Sequence, residues 1–414
     1  MVSLKNIIVP ILCLISISMN AQIKEPSKTN VSFKKIQLLD KYITEGASIA
    51  DINNDGYMDI IAGALWWKGP SFKESFAYVP VKYFPISGPG LKGYADNFFT
   101  FPDHFDTDEW IDLLRIGLPG TNSKWVENPG KKPVPSSSIS IEPIQYNAQE
   151  NVCHESPSFV NIIGDDKKEL LAFSKGYITI GIPSSGNELN WDVLPISLHD
   201  PKRFSKYSHG LGAGDINGDG LVDVIERTGW WEQPKNWDRL TPWKYHSYPF
   251  SSSKGGAQMF VYDVDGDGDT DVVTAMNGHG YGFSWFEQQN DDKKISFKEH
   301  KIMTDKTEDN PYGVSFSQLH ALACADLDND GILDVVTGKC YYAHNGRDPG
   351  SEDPAVLYWF KTVRNLDGSV ELAPYKIDDD SGVGRQISTG DLNNDGKIDI
   401  VTANKKGVFA FIQN

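Results

Sequence analysis

One short pattern returns five times along the chain and constrains its fold more than any bulk property. It reads Asp51-Ile-Asn53-Asn-Asp55-Gly56-Tyr-Met-Asp59, then Asp215-Ile-Asn217-Gly-Asp219-Gly220-Leu-Val-Asp223, then Asp263-Val-Asp265-Gly-Asp267-Gly268-Asp-Thr-Asp271. The fourth copy is Asp326-Leu-Asp328-Asn-Asp330-Gly331-Ile-Leu-Asp334 and the fifth Asp391-Leu-Asn393-Asn-Asp395-Gly396-Lys-Ile-Asp399. Oxygen-bearing side chains at positions 1, 3, 5 and 9 can converge on one hard cation, and glycine at position 6 permits the sharp turn that such wrapping needs. Asp and Asn without His or Cys suit calcium rather than zinc. The reading is five structural calcium loops.

An EF-hand loop begins the same way, but it closes on a glutamate at position 12 and runs into a helix. Here each copy closes at position 9 and continues as Asp-Ile-Ile, Asp-Val-Ile, Asp-Val-Val, Asp-Val-Val or Asp-Ile-Val. β-branched residues directly after the loop predict a strand. Two degenerate copies fill the gap between the first and second clear loops. His104, Asp106, Asp108 and Asp112 keep the spacing in one, and Asn161, Ile163, Asp165 and Glu169 keep it in the other. Both lack the position-6 glycine and the second has an apolar position 3, so no calcium is assigned to either. Seven units roughly 50 to 65 residues apart have the period of propeller blades.

A second repeat follows the first. Trp66-Trp67, Trp125, Trp230-Trp231, Trp285-Phe286 and Trp359-Phe360 each fall one strand beyond a loop. We read them as aromatics wedged between blades, not as sugar platforms. The last unit stops two strands after its loop, at Phe409-Ala-Phe411-Ile-Gln-Asn414, and lacks an outer strand. The segment Phe33–Asp40 precedes the first unit and has the character of the outer strands at 297–302 and 374–377. An N-terminal strand that completes the seventh blade would close the ring and leave no free sheet edge. The expected fold class is all-β, a seven-bladed β-propeller over residues 33–414.

The formal net charge of −17 argues against nucleic acid or an anionic membrane surface as a partner. The five clear loops hold 17 ligand-position aspartates, as many as the whole net charge. Residues 1–21 read as a signal peptide: Lys5 is the positive end, Ile7 to Ser18 an apolar core too short to span a bilayer, and Ala21 a cleavage point. Residues 22–32 read as a flexible leader, and no later stretch predicts membrane insertion. The expected destination is secreted or periplasmic. Without Cys13 three cysteines remain, Cys153, Cys324 and Cys340, which allow at most one internal bridge.

The loops, with small residues before them at Gly212-Ala213-Gly214-Asp215 and Ala323-Cys324-Ala325-Asp326, resemble FG-GAP/VCBS repeat propellers over nearly all of the mature chain. That resemblance implies the fold and calcium, and leaves activity open, because the family includes ligand-binding heads, lectin-like modules and enzymes. The strand Gly229-Trp-Trp-Glu-Gln-Pro234 and the run at 209–215 look most like the propeller domain of aldos-2-ulose dehydratases, which eliminate water from keto-sugars. Some polysaccharide lyases are similar. The dehydratases also carry cupin domains, which this chain is too short to contain.

Topology then places candidate residues. If each calcium loop joins the first and second strands of a blade, the opposite face carries the entries to the first strands. Counting six residues back from each loop gives a ring of Glu45, Phe98, Glu155, His209, Ala257, His320 and Arg385. His154, Gln258 and Gln386 adjoin it. Such a ring is either a wet polar channel or a used site. His209, His320 and Glu155 could hold a catalytic divalent metal such as zinc, or either His could act as a base. The same face receives the long insertions. One adds Asn277-Gly-His279-Gly-Tyr281, and another adds Lys339-Cys-Tyr341-Tyr342-Ala-His344-Asn-Gly-Arg347-Asp-Pro. Long loops on a rigid scaffold commonly carry function.

The candidate catalytic set is therefore His209, His320, Glu155, Arg385, Tyr281, His279, Tyr341 and His344. The first function it suggests is a carbohydrate lyase or dehydratase, eliminating beside a carbonyl or a uronate carboxylate. The second is a non-catalytic module that binds glycan or protein through the same face. The third is a structural exported propeller with no small-molecule site. Oligomeric state is not legible.

Overall fold

The computed structural model describes residues 23–130, 134–135, 143–184, 190–251, 254–291 and 294–414. The signal-peptide segment lies outside them. Seven antiparallel sheets form a ring, and their first strands are Ala47–Ala50, Phe99–Asp103, Ser158–Val160, Leu211–Gly214, Met259–Tyr262, Leu322–Ala325 and Ile387–Gly390. Each loop of the repeat joins a first strand to a second one that opens on the position-9 residue. Gly214 pairs with Asp223 and Ala325 with Asp334, so the loop is a hairpin turn at one end of the blade.

The ring closes as expected. Phe33–Leu39 runs antiparallel to Gly407–Gln413, with Phe33 opposite Gln413, and supplies the outer strand of the seventh blade. Residues 23–32, read as a leader, run along the sixth blade. Lys24 N–H donates to Pro311 O at 2.7 Å, and Ser27 Oγ lies 3.0 Å from Tyr375 Oη. Blade one gains a fifth strand, Val134–Pro135, beside Ser75–Ala77.

The core lies between blades rather than within them. One buried apolar cluster fills each interface between neighbouring blades, including the closing interface of blades seven and one. Successive strand residues point to opposite faces, and the aromatic pairs exploit this. Trp230 packs toward blade five and Trp231 toward blade three, while Trp285 packs toward blade six and Phe286 toward blade four. Several of these rings also stack on a partner in the outer strand: Trp230 on His246 at 4.0 Å, Trp285 on His300 at 4.3 Å and Trp359 on Tyr375 at 4.7 Å. Cys153, Cys324 and Cys340 carry free thiols, so packing and not a disulfide holds the ring.

Candidate functional site

The repeated loops build one face. Their position-6 glycines, Gly56, Gly220, Gly268, Gly331 and Gly396, have φ between +80° and +98°. An added Cβ would meet nothing within 4 Å at any of them, so backbone conformation and not space selects glycine. In the fifth and sixth blades Asp263, Asp265 and Asp271, and Asp326, Asp328 and Asp334, each bring carboxylate oxygens within 4.8 Å of one another. These all-oxygen triads fit a hard cation.

Position 9 has a second duty that the spacing alone does not reveal. Asp271 is fully buried; its Oδ2 accepts the Val264 N–H at 2.9 Å and its Oδ1 the Gln288 N–H at 2.8 Å. One carboxylate thus ties the loop to the third strand. The same clamp recurs at Asp59, Asp223, Asp334 and Asp399, the last accepting from Leu392 and Gln413. It also recurs at Asp112 in the degenerate loop, from Phe105 at 3.1 Å and Asn128 at 2.8 Å. Glu169 keeps half of it, accepting from Ile162 at 2.7 Å. Burial pushes the carboxyls of Asp59, Asp112, Asp223, Asp271 and Asp334 up to about 7, against the pull of those N–H groups.

The opposite face is built once, not seven times. Backbone hydrogen bonds run from blade to blade around its mouth: Glu45 N to Asn97 O, Glu155 N to Ser208 O, His209 N to Lys254 O and Arg385 N to Glu45 O. They bring the ring positions together, and all are buried, with Phe98, Glu155 and Arg385 bordering the cavity described below. Arg385 Nε donates to Glu155 Oε2 at 3.0 Å, its Nη1 lies 3.5 Å from Glu45 Oε2, and its Cζ sits over the Phe98 ring, 5.6 Å from the centroid. Burial alone would raise the Glu155 carboxyl, but Arg385 and His209 hold it well below the usual carboxylate range.

Three imidazoles adjoin this network. His209 and His320 have ring centroids 4.9 Å apart, and His279 lies 5.2 Å from the first and 4.6 Å from the second. His209 Nε2 is 3.4 Å from Glu155 Oε2 without the alignment of a hydrogen bond, and neither nitrogen of His320 has a hydrogen-bond partner. Both rings are fully buried. Leaving such a group unsatisfied costs about 1–3 kcal/mol. Burial, and then the charge of Arg385, push His320 well below the ordinary histidine range.

The insertions close over these rings. Asp348 accepts from His279 Nδ1 at 2.9 Å and from His344 Nδ1 at 3.0 Å, and the two imidazoles stack at 4.2 Å. Burial alone would raise the Asp348 carboxyl, but these two histidines hold it well below its usual range. The sixth-blade insertion reaches the connection between blades one and two: His344 N–H donates to Tyr94 Oη at 3.1 Å and Asn345 Nδ2 to Gly88 O at 3.1 Å. It adopts left-handed backbone at Tyr342, His344 and Asn345, a strained run that commonly marks a functional loop.

A cavity of about 560 Å³ opens here, walled by His279, His344, Asp348, Arg385 and Glu155 on one side. Tyr94, Phe98, Tyr207 and Lys254 complete much of the rest. His209 and His320 lie beneath this wall. Tyr281 and Tyr341 stand outside it; Tyr341 packs against Tyr342 and under the Lys406 ammonium. Counting back to the ring missed Tyr94, Tyr207, Lys254 and Asp348. The first three lie two to four residues upstream of Phe98, His209 and Ala257, so extending the same count would have reached them.

Residues 263–337 match the model of an FG-GAP-like repeat. The chain is a β-propeller of seven blades, with its N-terminal strand closing the ring, and the matched repeat falls on its fifth and sixth blades. No curated protein matches it in sequence. Among solved structures it is similar to a lectin of Agrocybe aegerita, studied for recognition of non-reducing terminal N-acetylglucosamine. Identity there is 15%, coverage 89% of this chain and 93% of the lectin, and TM-score 0.45. It is also similar to rhamnogalacturonan lyase YesW, at 12% identity, with 92% of this chain and 75% of that one covered and a TM-score of 0.41.

Proposed function

We propose that this is an exported, calcium-stabilised propeller that acts on carbohydrate at its channel mouth as a lyase or dehydratase. The observation that carries the reading is the single cavity where His279, His344 and Arg385 meet above buried imidazoles. Elimination needs a base beside an acidic C–H, a cation for the developing enolate and a donor for the leaving oxygen. His344, exposed at the cavity rim, is suited to take the proton α to a carbonyl or carboxylate. The electron pair forms the C=C bond, the β C–O bond breaks, and Tyr94 or Tyr207 protonates the departing oxygen. Arg385 would face the enolate or carboxylate, its direction fixed by Glu155 and Glu45. A divalent metal at the imidazoles would add Lewis acidity.

Calcium in the five clear loops is part of the same proposal, and the fully acidic triads in blades five and six support it. The experiment is incubation of the exported protein with keto-sugars and with uronate polymers, reading the ultraviolet absorbance of an unsaturated product. Product formation that is lost in His344→Ala supports the reading; no product from either class overturns it. The aromatic wall of Tyr94, Phe98 and Tyr207 favours one second reading, a glycan-binding module without catalysis. Saturable glycan binding with no product would select it.

A further inference from the structure

The position-9 clamp accounts for the N–H of the second residue in a loop, but not for its carbonyl. We propose that this carbonyl couples each loop to the next blade, so that the loops of blades four to seven bind calcium cooperatively while the loop of blade one binds it independently. The proposal rests on calcium filling the clear loops, and it adds what passes between them.

Ile52, Ile162, Ile216, Val264 and Leu327 hold position 2 in blades one, three, four, five and six, and all are buried. A buried carbonyl needs a donor, and each of these finds one in the following blade. Asn128 Nδ2 donates to Ile52 O at 2.9 Å and Gln233 Nε2 to Ile162 O at 3.1 Å. Arg364 Nε donates to Val264 O at 2.9 Å and Gln413 Nε2 to Leu327 O at 2.7 Å. The Gln288 amide, with its nitrogen turned toward its acceptors, donates to Ile216 O at 3.0 Å and to Thr270 O at 3.1 Å.

Four of these donors are also the clamp residues of their own blades. The backbone N–H groups of Asn128, Gln233, Gln288 and Gln413 donate to the position-9 carboxylates of Asp112, Asp223, Asp271 and Asp399. One residue thus holds its own loop through its backbone and the preceding loop through its side chain. In blade six the duties divide between Thr362, whose N–H donates to Asp334, and Arg364 in the same strand. An ion that fixes a position-9 carboxylate therefore also fixes the donor that the preceding loop needs, and linkage makes the effect reciprocal.

Among the described residues the joints stop at two seams. The clamp donor follows the first aromatic of its strand by three residues, as Gln288 follows Trp285. In blade three the register puts Pro183 there, because Ile180 faces Leu171 as Trp285 faces Val273. Proline has no N–H and no amide, so Glu169 Oε1 is left without a partner and blade two receives no joint. In blade one the position is Gly69, which keeps its N–H on Asp59 but has no side chain to offer blade seven. Blade seven meets blade one at an exposed tip instead, Asn394 Nδ2 to Gly56 O at 3.0 Å, where water competes. The unbroken run of clear loops is blades four to seven, joined by Gln288, Arg364 and Gln413.

The test is a calcium titration of the chelator-stripped exported protein against a chromophoric chelator. Four ions should follow a sigmoidal isotherm and a fifth should bind independently. Each amide joint is one neutral hydrogen bond, so its loss should weaken the partner loop by about 2- to 10-fold. Gln288→Met and Gln413→Met keep the volume, remove the donor and should each flatten the isotherm. Gln233→Met removes a similarly buried amide whose acceptor lies in the degenerate loop of blade three, and should leave the steepness unchanged. Thermal melting in excess calcium checks folding, and either of the first two variants suffices should the other not fold. Five ions bound independently overturn the coupling and leave the calcium loops standing. So does a steepness that neither of those variants changes, or that Gln233→Met reduces equally. A chain that takes up no calcium overturns the loop reading beneath it.

Discussion

On one face of the ring, Asp263, Asp265 and Asp271 meet inside a single nine-residue loop; on the other, His209, His279 and His320 meet from three distant connections. The first face repeats with the blades and is all oxygen. The second is built once and is mostly nitrogen. Repetition copies whatever the fold itself needs, and the position-9 clamp shows this, since it survives at Asp112 where the rest of the loop has decayed. What occurs once, such as the insertion carrying His344 and Asp348, is free of that demand and can be specialised.

The largest expected effect follows from calcium. Five occupied loops, each contributing about 2.7 kcal/mol at a hundredfold excess over its dissociation constant, would dominate the stability of the chain. Chelation should lower the melting temperature by roughly 15 degrees, and readded calcium should restore it. Differential scanning calorimetry with and without calcium checks this. A melting temperature indifferent to chelator would break the comparison, leaving the loops as acidic hairpins.

The next effect separates the clamp from the ion. Asp271→Ala and Asp112→Ala each orphan two buried backbone N–H groups, at about 1–3 kcal/mol apiece. Both variants should lose about 2–6 kcal/mol in urea denaturation, although only Asp271 belongs to one of the five clear copies of the loop. A loss below about 1 kcal/mol for Asp112→Ala would show that position 9 matters only through the metal.

These two expectations also mark what the sequence makes legible. The loops, the seven units, the closing strand and the ring of Glu155, His209, His320 and Arg385 all follow from fixed spacing. The clamp does not, because its second donor sits at a variable distance: Gly69 for Asp59, Thr362 for Asp334. Nor does the pairing of Arg385 with Glu155, which are 230 residues apart. Asp348 was passed over because its meaning depends on two histidines, one of them from a different blade. Local pattern encodes what a blade does to itself; contacts across the channel need the closed ring.

A pH signature sharpens the same distinction at smaller scale. Burial raises the Asp112 carboxyl to about 7 in the folded protein, against about 4 in an unfolded chain. The folded state then holds the proton more tightly. The contribution of Asp112 to stability is greatest below about pH 4, declines as pH rises toward 7, and is level above it. Subtracting the stability of Asp112→Asn from that of the wild type should give a difference that falls by on the order of 1 kcal/mol or more across that window. A difference flat from pH 4 to 7 would mean the carboxylate is solvated well enough to stay charged.

The smallest effect compares two loops of the same face. In blade six the Lys361 ammonium meets Asp328 and lies 2.7 Å from Asp330 Oδ2, two ligand positions of one loop. In blade five Glu287 follows the aromatic pair where Lys361 does in blade six, and it pairs with Lys298 and His300 instead. Lys361 thus bridges two ligand positions of its loop, whereas Arg364 reaches only Asp263 of the blade-five loop, at 3.6 Å, and Lys68 only Asp55 of the blade-one loop, so calcium meets its strongest competing cation in blade six. Partly exposed ion pairs contribute about 0.2–1 kcal/mol, so the competition amounts to no more than about a fivefold change in affinity. Lys361→Met should tighten calcium binding at that one loop by this factor, read by calorimetric titration in a background where Asp55, Asp219, Asp267 and Asp395 of the other four loops are replaced by Ala. An unchanged affinity would mean that the ammonium swings aside at no cost, and the blade-six loop would then rank with its neighbours rather than below them.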